Sequence, residues 1–255
     1  MKKISARELK KDMPEWKRKK DPFLTRLFYR PFSFYISSAA ANMGITANSV
    51  SYFSVLVAII GCCLFIFNNY VLAIIGGILF NIWLLLDCVD GNLARSVKKQ
   101  PFGEFADGIS SYILVGLMGI AMSISVFQRG GLFFESGNYL ILILGTLASE
   151  MDTLMRLVYQ KYKSTEKELI EKGIIKEVKG DRKDQEQVSS LKVRIEMEFG
   201  IGGILPIAIL LATIFNFLDI VIVYCFVYYG LSAVAMILNY IIKARKTEKA
   251  FKGDF

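Results

Sequence analysis

The chain has 255 residues, 54% of them hydrophobic, with a mean hydropathy of +0.43, and carries 31 Lys and Arg against 23 Asp and Glu for a formal net charge of +8. A soluble domain seldom holds so much apolar weight; the balance works only where charge and apolar residues are segregated, and here the apolar blocks are long enough to cross a bilayer. There is no His, which excludes a His base, a His nucleophile and His-bearing zinc sites, so any metal is held mostly by oxygen, favouring Mg, Mn or Ca.

Residues 1–46 form a basic N-terminal segment. Its first 21 residues stay charged, from Lys2 and Lys3 to Lys19 and Lys20, and lack the apolar stretch of a cleavable signal peptide, so none is expected. From Pro22 to Asn42, Phe23, Leu24, Leu27, Phe28, Phe32, Phe34 and Tyr35 alternate with Arg26 and Arg30. That pattern predicts an amphipathic helix lying on the membrane surface, broken at Pro31; the competing reading, a solvated basic tail, leaves the aromatic side chains unexplained.

Six membrane helices are expected over residues 47–243: Ala47 to Phe67, Tyr70 to the polar stretch that starts at Asp87, Gly103 to Phe127, Gly137 to Tyr159, Phe199 to Phe215, and Leu218 to Ile242. At 1.5 Å per residue each reaches the ~20 residues a span needs, some only with their polar ends counted. Residues 161–195 are expected to be a charged cytoplasmic loop, with a short helix near Ser164 to Lys172, and 244–255 a basic tail. Of the 31 basic residues only Arg129 falls in the other three connections. The positive-inside rule then places both termini, the second-to-third connection and the 161–195 loop in the cytoplasm, in the cell membrane. Cys62, Cys63, Cys88 and Cys225 lie in or beside apolar segments without zinc spacing and read as small buried hydrophobes.

The chemistry is expected at the ends of the second and third helices. Carboxylates in membrane segments cost about 2.5–3.5 kcal/mol each on insertion scales and are usually functional. Asp87, Asp90, Glu104 and Asp107 fall within 21 residues. Asp87, Asp90, Gly91 and Ala94 are spaced to share one helical face, and Glu104, Asp107, Gly108 and Ser111 repeat the spacing. The stretch from Arg95 to Phe102 can reverse the chain and bring the two faces together. Carboxylates this close repel unless cations lie between them, and a pair of divalent ions can grip a phosphate diester. Gly91, Ala94 and Gly108 allow close helix approach or room for a nucleotide, and Arg95, Lys98 and Lys99 stand where they could neutralise phosphate. Interfacial charges that merely cap helix ends would account for Glu104 and Lys98, but not for matched carboxylate faces on consecutive helices.

The stretch Asp87-Cys-Val-Asp90-Gly91-Asn-Leu-Ala94-Arg95, followed after seven residues by Gly103-Glu-Phe-Ala-Asp107-Gly-Ile-Ser-Ser111, resembles the signature of the CDP-alcohol phosphotransferase family, D-x-x-D-G-x-x-A-R, a spacer, then G-x-x-x-D-x-x-x-D. Gly44-Ile-Thr46-Ala-Asn48 resembles the family's I-T-P-N segment, with Ala47 in place of Pro. The resemblance implies an all-α integral membrane enzyme in phospholipid or related lipid synthesis. It implies that Asp87, Asp90 and Asp107 hold one or two Mg²⁺ or Mn²⁺, and that Gly91, Ala94, Arg95 and Asp87 bind a CDP-linked donor such as CDP-diacylglycerol. An acceptor would attack the phosphorus distal to cytidine, with CMP leaving. It also suggests a homodimer; no nucleic-acid partner is expected.

The chain departs from the signature at its fourth Asp, the presumed base, which is Ser111. The catalytic set is therefore Asp107, Ser111 and Glu104, with Glu150 or Asp152 as other carboxylates able to fill the vacancy, unless the acceptor attacks through an ionised phosphate and needs no base. Glu150, Asp152, Arg156, Arg194, Glu196 and Glu198 are candidates for the acceptor site. Asp152 and Arg156, four residues apart, can instead pair with each other, and Asn81 and Asn239 are expected to hydrogen-bond between helices. The competing functions are a family member that binds CDP-lipid or a partner without turnover, and a small transporter, whose acidic site would sit nearer the midplane.

Overall fold

A computed structural model describes residues 3–97, 99–175 and 197–252. Lys98, Arg194, Glu196 and residues 176–195 of the expected loop lie outside the described residues. The described chain is helical throughout, with α1 (Ala6–Asp12), α2 (Glu15–Lys20), a π-helical turn (Thr25–Tyr29), α3 (Arg30–Asn42), α4 (Ala47–Ile66), α5 (Tyr70–Ser96), α6 (Gly103–Arg129), α7 (Tyr139–Glu171), α8 (Leu205–Ile214) and α9 (Leu218–Lys252).

Helix starts follow local chemistry. Ser5 and Glu8 form a capping box on α1, and the side chains of Thr46, Asn69 and Asn138 accept backbone N–H groups at the starts of α4, α5 and α7, satisfying donors that have no partner inside the helix. Pro31 does not break the interfacial segment. It falls in the first turn of α3, where a missing N–H costs nothing, and the wider π turn before it carries the helix through. The exposed Phe23, Leu27, Phe28, Phe32 and Tyr35 leave one side of this segment apolar.

The protein is an all-α integral membrane protein. Among the described residues, four helices, α4, α5, α6 and α9, are long and apolar enough to cross a membrane. The other two expected spans have different forms. α7 is 33 residues long, with Glu150, Asp152 and Arg156 in its course, and continues to Glu171, so residues 161–171 are helix rather than loop. Pairs such as Lys163–Glu166 and Glu168–Lys172 line that extension, as helical spacing allows. α8 has only ten residues, about 15 Å, because the Gly200-Ile-Gly202-Gly203 stretch before it forms turns.

α4 packs on α5 and α6, α7 on α6 and α9, and α3 and α8 on α5. Phe65, Phe80, Trp83, Leu84, Leu114, Met122, Ile209 and Ile222 form the central core. Glycines set one close crossing: a Cβ on Gly119 would stand 2.5 Å from the Gly145 carbonyl oxygen and 2.7 Å from Ser149 Oγ. Bare backbone at that point lets α7 lie close against α6.

Candidate active site

Asp87 and Asp90 come from the last turns of α5, and Asp107 from the second turn of α6. One carboxylate oxygen from each lies within 4.8 Å of the others. α5 ends at Ser96 and α6 begins at Gly103, and Phe102 takes a left-handed conformation (φ 59°) immediately before α6. Asp90 is buried, and its Oδ2 accepts a 2.6 Å hydrogen bond from Ser51 on α4. The cluster opens into a cavity of about 260 Å³ whose lining includes Asn48, Gly91, Ala94, Arg95, Gly103 and Glu104.

Gly91 has a specific steric reason. A Cβ there would meet the Arg95 guanidinium at 3.0 Å, so the absent side chain lets Arg95 fold back over the helix. Gly108 does not serve close approach to a described helix: among the described residues a Cβ would meet only the Tyr112 ring, at 3.9 Å.

The N-terminal segment closes over this region. Arg30, buried, donates from Nε and Nη2 to Asp21 at 2.7 and 2.9 Å, and from Nη1 to the Cys88 carbonyl and Asn92 Oδ1. Asn92 donates onward to Ser33 and Ser37 of α3 and accepts from Arg95. Lys17 pairs with Asp21 at 3.1 Å. Tyr29 donates to Asn81 of α5, and Asn81 donates to the Pro206 carbonyl at 3.0 Å, the interhelical role expected of it. Burial pushes the Tyr29 hydroxyl up to about 12, so it remains a neutral donor.

A second cavity, about 850 Å³, adjoins the first, and Lys17, Arg30 and Asp87 line both. Its far walls are α7 and α9, with Asp152, Arg156, Tyr228, Tyr229 and Asn239. Asp152 and Arg156 do pair: Arg156 Nε donates to Asp152 Oδ2 at 2.9 Å.

Of the remaining expected residues, Glu104 sits at the cavity rim with its side chain 96% exposed, 4.0 Å from Lys99. Ser111 donates to the carbonyl of Gly108 in its own helix at 3.0 Å and lines neither cavity. Its neighbour Ser110 is the one turned inward, bonded to Ser54 and Trp83. Glu150 is exposed, and Glu198 accepts from the backbone N–H of Phe23, tethering the N-terminal segment. Sequence reasoning missed Lys17, Asp21, Arg30, Ser51 and Asn92. Asn92 lies inside the Asp87–Arg95 stretch, which is the one local signal that could have found any of them.

The donor set can be judged for metal. Three carboxylates that can each offer one oxygen form an all-oxygen group suited to Mg²⁺ or Mn²⁺. Three negative charges at this spacing repel strongly in a partly desolvated place, so a cation fits the residues present.

No curated protein matches the chain. Residues 33–179 match the sequence model of a family described as ceramide phosphoethanolamine synthase. The matched span is more than half of the chain and runs from α3 through α7, taking in the carboxylate cluster and the Asp152–Arg156 pair. On that coverage the chain belongs to the ceramide phosphoethanolamine synthase family, a family of lipid phosphotransferases.

Proposed function

We propose that this membrane protein transfers a phospho-alcohol from a CDP-linked donor to a lipid acceptor and releases CMP, with a divalent metal at Asp87, Asp90 and Asp107. The observation that carries the proposal is the three-carboxylate cluster within 4.8 Å, set in a cavity with Arg95, Lys17 and Arg30. The motif around it supports a CDP-linked donor. The family's name points to phosphoethanolamine as the group and ceramide as the acceptor, so CDP-ethanolamine is the first donor to test, ahead of CDP-diacylglycerol.

Bound at the three carboxylates, the metal would supply positive charge to the diphosphate. Arg95 and Lys17 add charge that steadies the phosphates, Arg30 holds the wall through Asp21, the Cys88 carbonyl and Asn92, and Gly91 and Ala94 leave room for the nucleotide. Ser51 holds the Asp90 carboxylate in one orientation. The acceptor hydroxyl oxygen forms a bond to the phosphorus distal to cytidine. The bond from that phosphorus to the bridging oxygen breaks, and CMP departs with its electron pair. Positioning and charge neutralisation are the main contributions to such a transfer. Glu104, one turn before Asp107 and on the same cavity, receives the hydroxyl proton, because the Ser111 hydroxyl is committed to Gly108. Six spans, with α7 and the whole segment 199–215 around α8 completing the bundle, would put this site and both termini on the cytoplasmic face of the cell membrane, with α3 lying on the lipid surface. The motif's resemblance supports a homodimer.

The test is CMP release by purified protein given CDP-ethanolamine, ceramide and Mg²⁺ or Mn²⁺. Turnover is expected, and chelation or Asp107→Asn should abolish it, since an amide cannot replace a metal-binding carboxylate. Glu104→Gln should slow it about 10²–10⁴-fold. Near-normal turnover by Asp107→Asn would refute the assignment of the site.

A further inference from the structure

Among the described residues, two buried polar atoms on the wall of the larger cavity have no hydrogen-bond partner: Asp152 Oδ1 and the Tyr229 hydroxyl. Asp152 is 1% exposed and Tyr229 5%. The other Asp152 oxygen is already taken by Arg156. Buried polar groups are nearly always satisfied, so two orphans on one cavity wall point to a ligand that satisfies them.

We infer that the 850 Å³ cavity binds the acceptor, and that Asp152 and Tyr229 receive an uncharged hydrogen-bond donor of a lipid, a hydroxyl or an amide N–H. The inference rests on the transferase reading above and names the acceptor's class. Position supports it: the cavity touches the carboxylate cluster through Asp87 and shares Lys17 and Arg30 with the donor cavity. Size supports it, because 850 Å³ lies in the range of whole-ligand pockets and exceeds what an alcohol headgroup fills. Its walls include Leu84, Met155, Ile201 and Met236, which suit an alkyl chain. Leu231, also on the lining, is 68% exposed, so the cavity reaches the protein surface beside α9, where a lipid could enter. The chemistry of the orphans sets the class. A carboxylate oxygen only accepts, so the ligand must donate. A phosphate presented there would meet the Asp152 charge, and a second cation would meet Arg156.

Tyr229→Phe removes one hydroxyl without changing shape, and Asp152→Asn keeps the volume while removing the charge. In CMP-release kinetics each should raise the KM for ceramide about tenfold and leave the KM for CDP-ethanolamine within twofold. Ceramide should raise the unfolding temperature of the detergent-solubilised wild type, and Tyr229→Phe should lose that rise; this readout needs no turnover. Phosphatidic acid should not compete with ceramide in either assay. A rise in donor KM instead would make this the binding place of the donor's ammonium and overturn the inference, as would equal competition by phosphatidic acid. CMP release with unchanged acceptor KM and unchanged ceramide stabilisation in both variants would sink the acceptor site and leave the transferase reading standing. Ceramide stabilisation lost in Tyr229→Phe, with no CMP released by the wild type from any CDP-alcohol, would sink the transferase reading and leave the lipid site standing. If the wild type neither releases CMP nor responds to ceramide, both fall.

Discussion

Replacing Arg30 by Met should destabilise the fold by about 3 kcal/mol. The guanidinium makes four hydrogen bonds, two to Asp21 and one each to the Cys88 carbonyl and Asn92, and both side chains of the pair are nearly fully buried, at 7% and 2% exposure. Removing one partner of a buried ion pair costs about 3–5 kcal/mol, because the remaining charge stays desolvated and unpaired. Lys17, 3.1 Å from Asp21, remains as a substitute cation, which places the cost at the low end. Removing both charges is a different case. Arg30→Met with Asp21→Leu removes both fully buried charges and leaves only the partly exposed Lys17 without its partner; replacing a whole buried pair is often neutral, so the double variant should be more stable than Arg30→Met alone. The assay is reversible unfolding in mixed micelles, run as a double-mutant cycle. If Arg30→Met lies within about 0.5 kcal/mol of the wild type, or if the two single losses simply add, the buried pair does not hold the N-terminal segment and the reasoning fails.

Gly119→Val should lower stability by about 1–3 kcal/mol through overpacking, because its Cβ would stand 2.5 Å from the Gly145 carbonyl; a thermal-shift measurement with no change would show that α7 does not sit where described. Ser111→Ala should leave CMP release within about twofold, as its hydroxyl bonds only its own helix; a tenfold loss would show that Ser111 acts in turnover. A cysteine placed at Ser164 in a cysteine-free background should resist an impermeant thiol reagent added to intact cells, and labelling there would overturn the cytoplasmic placement of the α7 extension.

Much of the site was legible because its parts are close in sequence. Asp87, Asp90 and Asp107 sit on two consecutive helices joined by a short connection, so helical spacing and chain reversal almost compel their meeting. Arg30 and Asp21 were not legible as a buried pair, since a charge in a basic amphipathic segment reads as solvated and nothing local marks the one that turns inward. The ten-residue α8 shows another limit. Its apolar run implies a span, but Gly202, Gly203 and Pro206 shorten the regular helix that forms.

The amino-acid order alone determined the all-helical membrane character and the pairing of the carboxylate faces, because each depends on residues within a few turns of one another. The tertiary structure decided which residues line the cavities. Ser110 rather than Ser111 faces the bundle, α3 covers the cluster through Asn92, and Asp152 on α7 shares a cavity wall with Tyr229 on α9, 77 positions away. Those outcomes depend on how each helix is rotated about its axis. Rotation is set by close contacts such as Gly119 against Gly145, which join segments that carry no local record of each other.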